Sequence, residues 1–180
     1  MQKNDRLVWI DLEMTGLHPD KDTILEIAVV VTDNDLHVIA QGPDLIINQP
    51  EELLRSMCEE VKAIHNASGL YKEVLESAVS LKEAEDKVFE FLQQYCNKNT
   101  PLLCGNSVWM DKAFLAKHMP RLHDFFYYRI IDVSTLKELA RRWYPHEKLA
   151  VTQKSERHRA LEDILESLEE MRHYRKVLFK

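Results

Sequence analysis

Glycine and proline are scarce in this chain, at 4 and 6 of 180 residues. That scarcity excludes collagen-like repeats and low-complexity tracts, which need both in quantity. Only three cysteines occur, Cys58, Cys96 and Cys104, far apart and with no CxxC pair. A scattered, odd set gives neither a disulfide framework nor a structural zinc site, so free thiols in a reducing compartment are expected. No apolar run approaches the roughly 18 residues that a membrane helix needs, so no membrane association is expected. The start, Met1-Gln2-Lys3-Asn4-Asp5-Arg6, has neither a secretory apolar core nor a long Arg-rich transit segment, which favours a cytoplasmic or already processed form. Positive charge is also in short supply, with a formal net charge of −6. Proteins that grip long nucleic acids carry a basic face that displaces counterions from phosphates. A nucleic-acid ligand here is expected to be short, or held by a few local contacts.

Apolar residues make up 45% of the chain, enough for a sizeable core, and the length suits one domain spanning 1–180. Strand signals come first. Leu7–Glu13 and Ile24–Val31 read as strands, Asp33-Asn34-Asp35 as a hairpin turn, and Val38–Ile47 as a third strand. Helical spacing follows Pro50, with a helix over Glu51–Ala63 that is broken by Asn66-Ala67-Ser68-Gly69. Ser80-Leu81-Lys82-Glu83 is a capping box, opening a helix through Tyr95 whose apolar face is Leu81, Ala84, Val88, Phe91 and Leu92. Pro101–Cys104 predicts a short buried strand that feeds, through Gly105-Asn106-Ser107, a helix ending near His118, before Pro120. Tyr128–Val133 predicts another strand, with Asp132 or Ser134 capping a helix to Trp143. Tyr144–Lys154 reads as a loop, and a last helix runs from about Ser155 to Val177 with a stripe of Leu161, Ile164, Leu165, Leu168 and Met171. Strands first, then strands alternating with helices, predict an α/β domain with a mixed sheet.

Acidic residues stand out against this pattern. Side chains in a strand alternate faces, so Asp11 and Glu13 point the same way, about 7 Å apart. Val8, Ile10 and Leu12 point the other way. Two carboxylates on a largely apolar strand repel each other and lose hydration. Either a divalent cation relieves both costs, with hard oxygen ligands suiting Mg²⁺ or Mn²⁺ over Zn²⁺, or the strand ends early and Glu13 is solvated. Asp111 lies on the helix face of Phe114, Leu115 and His118, as a buried acid or at the margin of the stripe. Asp163 borders the apolar stripe of the last helix, among glutamates that read as a solvated face. His158 precedes Asp163 by five residues, which on a continuous helix is about 140° away. The pair faces one centre only if the helix start deviates. Four acids and a histidine, each near an element terminus, suit two-metal phosphodiester hydrolysis with the imidazole as general base.

Three segments carry a family resemblance. They are Asp11-Leu12-Glu13-Met14-Thr15-Gly16-Leu17, Gly105-Asn106-Ser107-Val108 with Asp111, and His158 with Asp163 in an H-x4-D spacing. They resemble the motifs of the DEDDh superfamily of 3′-to-5′ exonucleases. Ala67-Ser68-Gly69-Leu70 and the run Tyr128–Trp143 narrow the resemblance to its oligoribonuclease family, over nearly the whole chain from Leu7 to Phe179. A lone D-x-E would carry little; the long Tyr128–Trp143 match carries much.

The resemblance implies a ribonuclease H-like mixed sheet flanked by helices, and two Mg²⁺ or Mn²⁺ ions. Asp11, Glu13, Asp111 and Asp163 would hold the metals and His158 would be the general base. It further implies a homodimer that degrades dinucleotides to about pentamers of RNA, with 5′-phosphorylated dinucleotides favoured. Ser107, Arg129 and Ser134 would receive the 5′ phosphate, with Tyr128 reaching in from the other subunit. Leu12 and Met14 would border the bases, and His65 would contact the base or ribose end. Taken singly, Arg129 is also readable as a surface ion pair, both serines as helix caps, and Leu12 as a core residue. The sequence departs from the family at Glu60, where a tryptophan usually stands five residues before His65. Both bacterial cytoplasm and mitochondria host the family. The alternatives are a DEDDh exonuclease trimming longer single-stranded DNA or RNA, and a non-catalytic nucleic-acid-binding module.

Overall fold

The computed structural model describes residues 3–145 and 158–179. Five strands form one mixed sheet in the order β3-β2-β1-β4-β5. β1 (Leu7–Met14), β2 (Ile24–Thr32) and β3 (Val38–Ile46) make the antiparallel meander that the strand spacing predicts. β4 (Leu102–Gly105) joins β1 in parallel, and β5 (Ile130–Asp132) joins β4 in parallel. Every residue of β2 is buried, so helices must cover both faces of the sheet.

The alternation of β1 sorts its side chains between two cores. Val8, Ile10 and Leu12 pack with α4 (Leu81–Tyr95) and α5 (Trp109–His118). Leu7 and Trp9 pack with α7 (Val133–Trp143) and α8 (Ala160–Leu178). Asp11 and Glu13 continue the second face, so the strand's own periodicity turns them toward α8. The capping box at Ser80 is formed in both directions. Cys58, Cys96 and Cys104 are free thiols, the last two buried. Among the described residues, no helix is long and apolar enough to cross a membrane.

Several predicted elements differ. The helix expected over Glu51–Ala63 is two, α1 (Glu51–Arg55) and α2 (Glu59–Ala67). Ser56 Oγ donates to the Leu53 carbonyl at 2.7 Å and Cys58 is extended, which ends the first helix and restarts the chain. The break lets both Leu54 and Met57 reach a third cluster with Leu25, Leu70 and Val74. After Gly69, at φ 81, comes α3 (Leu70–Glu76), which the sequence pattern did not predict. Pro120 opens a short α6 (Pro120–His123). The amides of Arg121 and Leu122 there donate to one Glu85 oxygen, at 2.9 and 3.1 Å, which explains a buried acid on α4. β5 is shorter than expected and leaves Tyr128 and Arg129 outside it. Asp132, not Ser134, caps α7, accepting from the Ser134 amide. The last helix begins at Ala160 rather than near Ser155, with His158 and Arg159 outside it. Residues 155–157, and the part of the expected loop from 146 to 154, lie outside the described residues.

Candidate active site

The C-terminal half of β1 supplies two acids, and two helices bring the others to it. Asp111 sits in the first turn of α5, only 6% exposed. Its Oδ1 accepts the Leu12 amide at 3.0 Å, which ties the helix to the strand between Asp11 and Glu13. A carboxylate in a first helical turn also meets the positive end of the helix dipole. Asp163 sits in the first turn of α8, its amide donating to the Arg159 carbonyl at 2.9 Å. His158 takes the left-handed backbone conformation, φ 47. That turn solves the geometry a continuous helix forbids. A ring nitrogen of His158 and carboxylate oxygens of Glu13 and Asp163 all lie within 4.8 Å of one another.

Gathering these acids has an electrostatic cost. The Glu13 carboxyl is pushed up to about 8, first by burial, then by Asp163, Glu26 and Asp111, with Arg159 opposing. Burial also raises Asp111, to about 7, against the stabilising effect of backbone hydrogen bonds that include the Leu12 amide. A set of hard oxygens held together against their repulsion fits a divalent cation, whose charge removes the reason for both shifts. A stability prediction follows from Glu13. Its folded value lies above the unfolded carboxylate range, so its contribution is complete below about pH 4.5 and is lost as pH rises toward 8. Metal-free protein should lose about 2–4 kcal/mol from this group across that window, a figure reduced for the partial exposure of the site. Glu13→Gln should flatten the dependence, and a divalent cation should reverse it. Denaturant melts at pH 6.5 and 8.5 with chelator check this; metal-free stability that rises between those points contradicts it.

Beside the acids, His65 is 2% exposed, with Nε2 hydrogen-bonded to the Met14 carbonyl at 2.9 Å. Among the described residues its Nδ1 has no hydrogen-bond partner, and it stands 4.0 Å from Glu13 Oε2. Burial lowers its pKa, which favours the neutral ring. Nε2 donates to the carbonyl, which leaves Nδ1 a buried acceptor that lacks a donor. Met14 is held in place by the loop that follows β1. Thr15 Oγ1 and the His18 amide both donate to Asp22. A Cβ on Gly16 would lie 2.5 Å from the Asp22 carboxylate, so any other residue would push that side chain from its place. Leu12 is core: its side chain is 5% exposed in the first cluster, and only its amide reaches toward the acids.

Ser107 and Ser134 meet although 27 residues apart. Their hydroxyls are 3.1 Å apart, and the Ser107 amide donates to Ser134 Oγ and Asp132 Oδ1, both at 2.9 Å. Ser107 is itself left-handed, φ 51. Tyr128 and Arg129 do not join them in this chain. Both are exposed, and Arg129 Nε donates to the Tyr128 hydroxyl at 3.0 Å. Tyr128 lines a separate hollow of about 580 Å³ with Lys98, Asn99, Lys112 and Tyr127. Glu60 is exposed at the start of α2. Sequence reasoning passed over Trp109, 57% exposed beside Ser107 and Ser134, and Glu26, fully buried. The signal for Glu26 was available: it is the lone acid in a strand apolar but for the terminal Thr32, the same anomaly that marked Asp11 and Asp111.

An exonuclease family model, RNase T, matches residues 8–171. An oligoribonuclease of Pseudomonas aeruginosa is 51% identical over 180 residues, covering all of this chain and 99% of that protein. The human mitochondrial oligoribonuclease is 51% identical over 175 residues, covering 97% of this chain and 74% of that protein. Among solved structures, exonuclease I of Methylocaldum szegediense superposes at a TM-score of 0.74 with 18% identity, covering 98% of this chain. The zinc-bound complex of Escherichia coli exonuclease I with single-stranded DNA superposes at 0.75 with 14% identity, covering 97% of this chain. This chain spans only 41% of each of those two, and the likeness shows the shared ribonuclease H-like exonuclease fold. Full-length identity of 51% to named oligoribonucleases, on that fold and with the exonuclease family model spanning nearly the whole chain, places it: this chain belongs to the oligoribonuclease family of exonucleases.

Proposed function

We propose that this protein is a 3′-to-5′ exoribonuclease that hydrolyses very short RNA, from dinucleotides to about pentamers, and releases nucleoside 5′-monophosphates. The observation that carries the reading is the group of Glu13, His158 and Asp163 within 4.8 Å, in a chain of this family. Asp11, Glu13, Asp111 and Asp163 would hold two Mg²⁺ or Mn²⁺ ions, which when bound activate water and stabilise charge on the leaving oxygen. His158 takes the proton from the attacking water and is the general base. His65 accepts a hydrogen bond at Nδ1 from the ribose or base, and Met14 borders the base, while the Leu12 side chain stays in the core.

Ser107 and Ser134 receive the 5′ phosphate, and Arg129 joins them once its side chain leaves the Tyr128 hydroxyl, its guanidinium suiting a phosphate fork. Tyr128 completes that site from the other subunit of a homodimer, in keeping with its exposure and its position in a separate hollow. A phosphate held at fixed distance from the acids measures length, and an acidic protein binding few phosphates has little need of a basic groove. The free thiols suit a reducing compartment, the cytoplasm or, as in the human relative's name, the mitochondrion.

Product analysis on 5′-phosphorylated RNA from two to about twenty nucleotides, with and without Mg²⁺, tests the reading. Turnover should be greatest on dinucleotides, absent in chelator, and yield only mononucleotides. Arg129→Ala should weaken dinucleotides that bear a 5′ phosphate far more than those without one. Greater turnover on long strands, or on single-stranded DNA, would favour a trimming exonuclease instead.

A further inference from the structure

We propose that Glu26 and Arg159 form a clamp that positions His158, so that the general base depends on a buried ion pair outside the reacting groups. The proposal rests on the reading of His158 as that base. Glu26 is fully buried in β2, directly opposite Glu13 in the β1 register. Its Oε1 accepts from Arg159 Nε at 3.0 Å and Nη2 at 2.9 Å, a two-pronged hold. Its Oε2 accepts the amide of Ala160, the first residue of α8, at 3.1 Å. One carboxylate therefore fixes the guanidinium and caps the helix. Arg159 Nη2 also pairs with Glu73 Oε2 of α3 at 2.9 Å, and Asp44 of β3, raised to about 6 by burial and then by Glu26, lies near the pair.

Arg159 is the residue between the left-handed His158 and the helix. An L residue seldom adopts φ near 50° unless its surroundings enforce it. Here the enforcement is visible. The side chain of Arg159 is tied to β2 and α3, and its carbonyl accepts the Asp163 amide at 2.9 Å. The turn is pinned on its C-terminal side, and the imidazole falls against Glu13 and Asp163. A buried ion pair gives little net stability over well-packed apolar residues. Stability alone does not account for this one; it fixes position.

Removing one partner would strand a buried charge, so the informative variant is the neutral pair Glu26→Gln with Arg159→Gln, alongside Arg159→Lys. In the full-length protein with Mg²⁺, dinucleotide turnover of the neutral pair should fall about 10–100-fold, the usual effect of losing a residue that orients a reacting group. KM should stay within about threefold. The deficit should narrow at high pH, as is expected of His158→Ala, and adding the pair to His158→Ala should slow that variant no further. Arg159→Lys should recover part of the rate. Without activity as the readout, amide exchange over Ala160–Asp163 should accelerate about tenfold or more, while β1 and β2 keep their protection. Turnover unchanged, or losses that add to those of His158→Ala, would overturn the clamp. Wild-type inactivity on dinucleotides would sink the functional reading instead; the clamp is then decided by exchange, with local release supporting it and unchanged or global release overturning it.

Discussion

Replacing Asp11, Glu13, Asp111 or Asp163 singly by the matching amide should abolish hydrolysis while leaving the sheet intact. Each swap keeps size and hydrogen-bonding shape and removes only the negative charge. Asp111→Asn can still accept the Leu12 amide through its carbonyl oxygen, so α5 stays tied to β1. What is lost is a hard anionic ligand in a site where charge is the chemistry. The expected loss is at or beyond about 10³-fold, the upper end of what a single electrostatic stabiliser supplies. Stability should move the other way in chelator, most clearly for Glu13→Gln, because a repelling, half-buried carboxylate has gone. Initial rates at saturating Mg²⁺, with thermal melts in chelator, check both parts. A variant that keeps near wild-type turnover loses its place as a metal ligand.

The second large effect concerns His158. His158→Ala should lower turnover about 10²–10⁴-fold, the range for removal of a general base, with little change in dinucleotide affinity. The loss should shrink as pH rises and hydroxide takes over the proton-accepting role. His158→Asn is the matching control, because asparagine accepts the left-handed backbone that alanine resists. If the ring itself is the catalyst, Asn and Ala fall equally. If the turn matters more than the ring, Asn recovers activity. A large affinity loss with little rate loss would make His158 a substrate contact.

Much of this site was legible in the chain. Strand alternation put Asp11 and Glu13 on one face, and the sheet turns that face toward α8. Asp111 on an apolar helical face was a visible anomaly, and its burial is explained by one backbone amide. The capping box at Ser80, the hairpin at Asp33 and the strand order of the meander all follow from local rules, because each depends on residues a few positions apart.

Other features depend on residues distant in sequence. The break at Ser56 arises because Leu54 and Met57 pack on Leu25, Leu70 and Val74, a cluster spread over 50 residues. Glu85 is buried because α6, 36 residues later, brings two amides to it. Ser107 and Ser134 each look like ordinary helix caps until β4 and β5 pair and bring their hydroxyls to 3.1 Å. His158 is the sharpest case. Helical periodicity sets it about 140° from Asp163, and the two come together because Glu26, 132 residues earlier, holds Arg159 and starts the helix at Ala160. The sequence by itself determined which acids are present and which strand face they share, since side-chain periodicity is a property of the local backbone. Only the tertiary structure decided how the histidine reaches them, because a left-handed turn at a non-glycine residue is held by long-range contacts that local pattern does not contain.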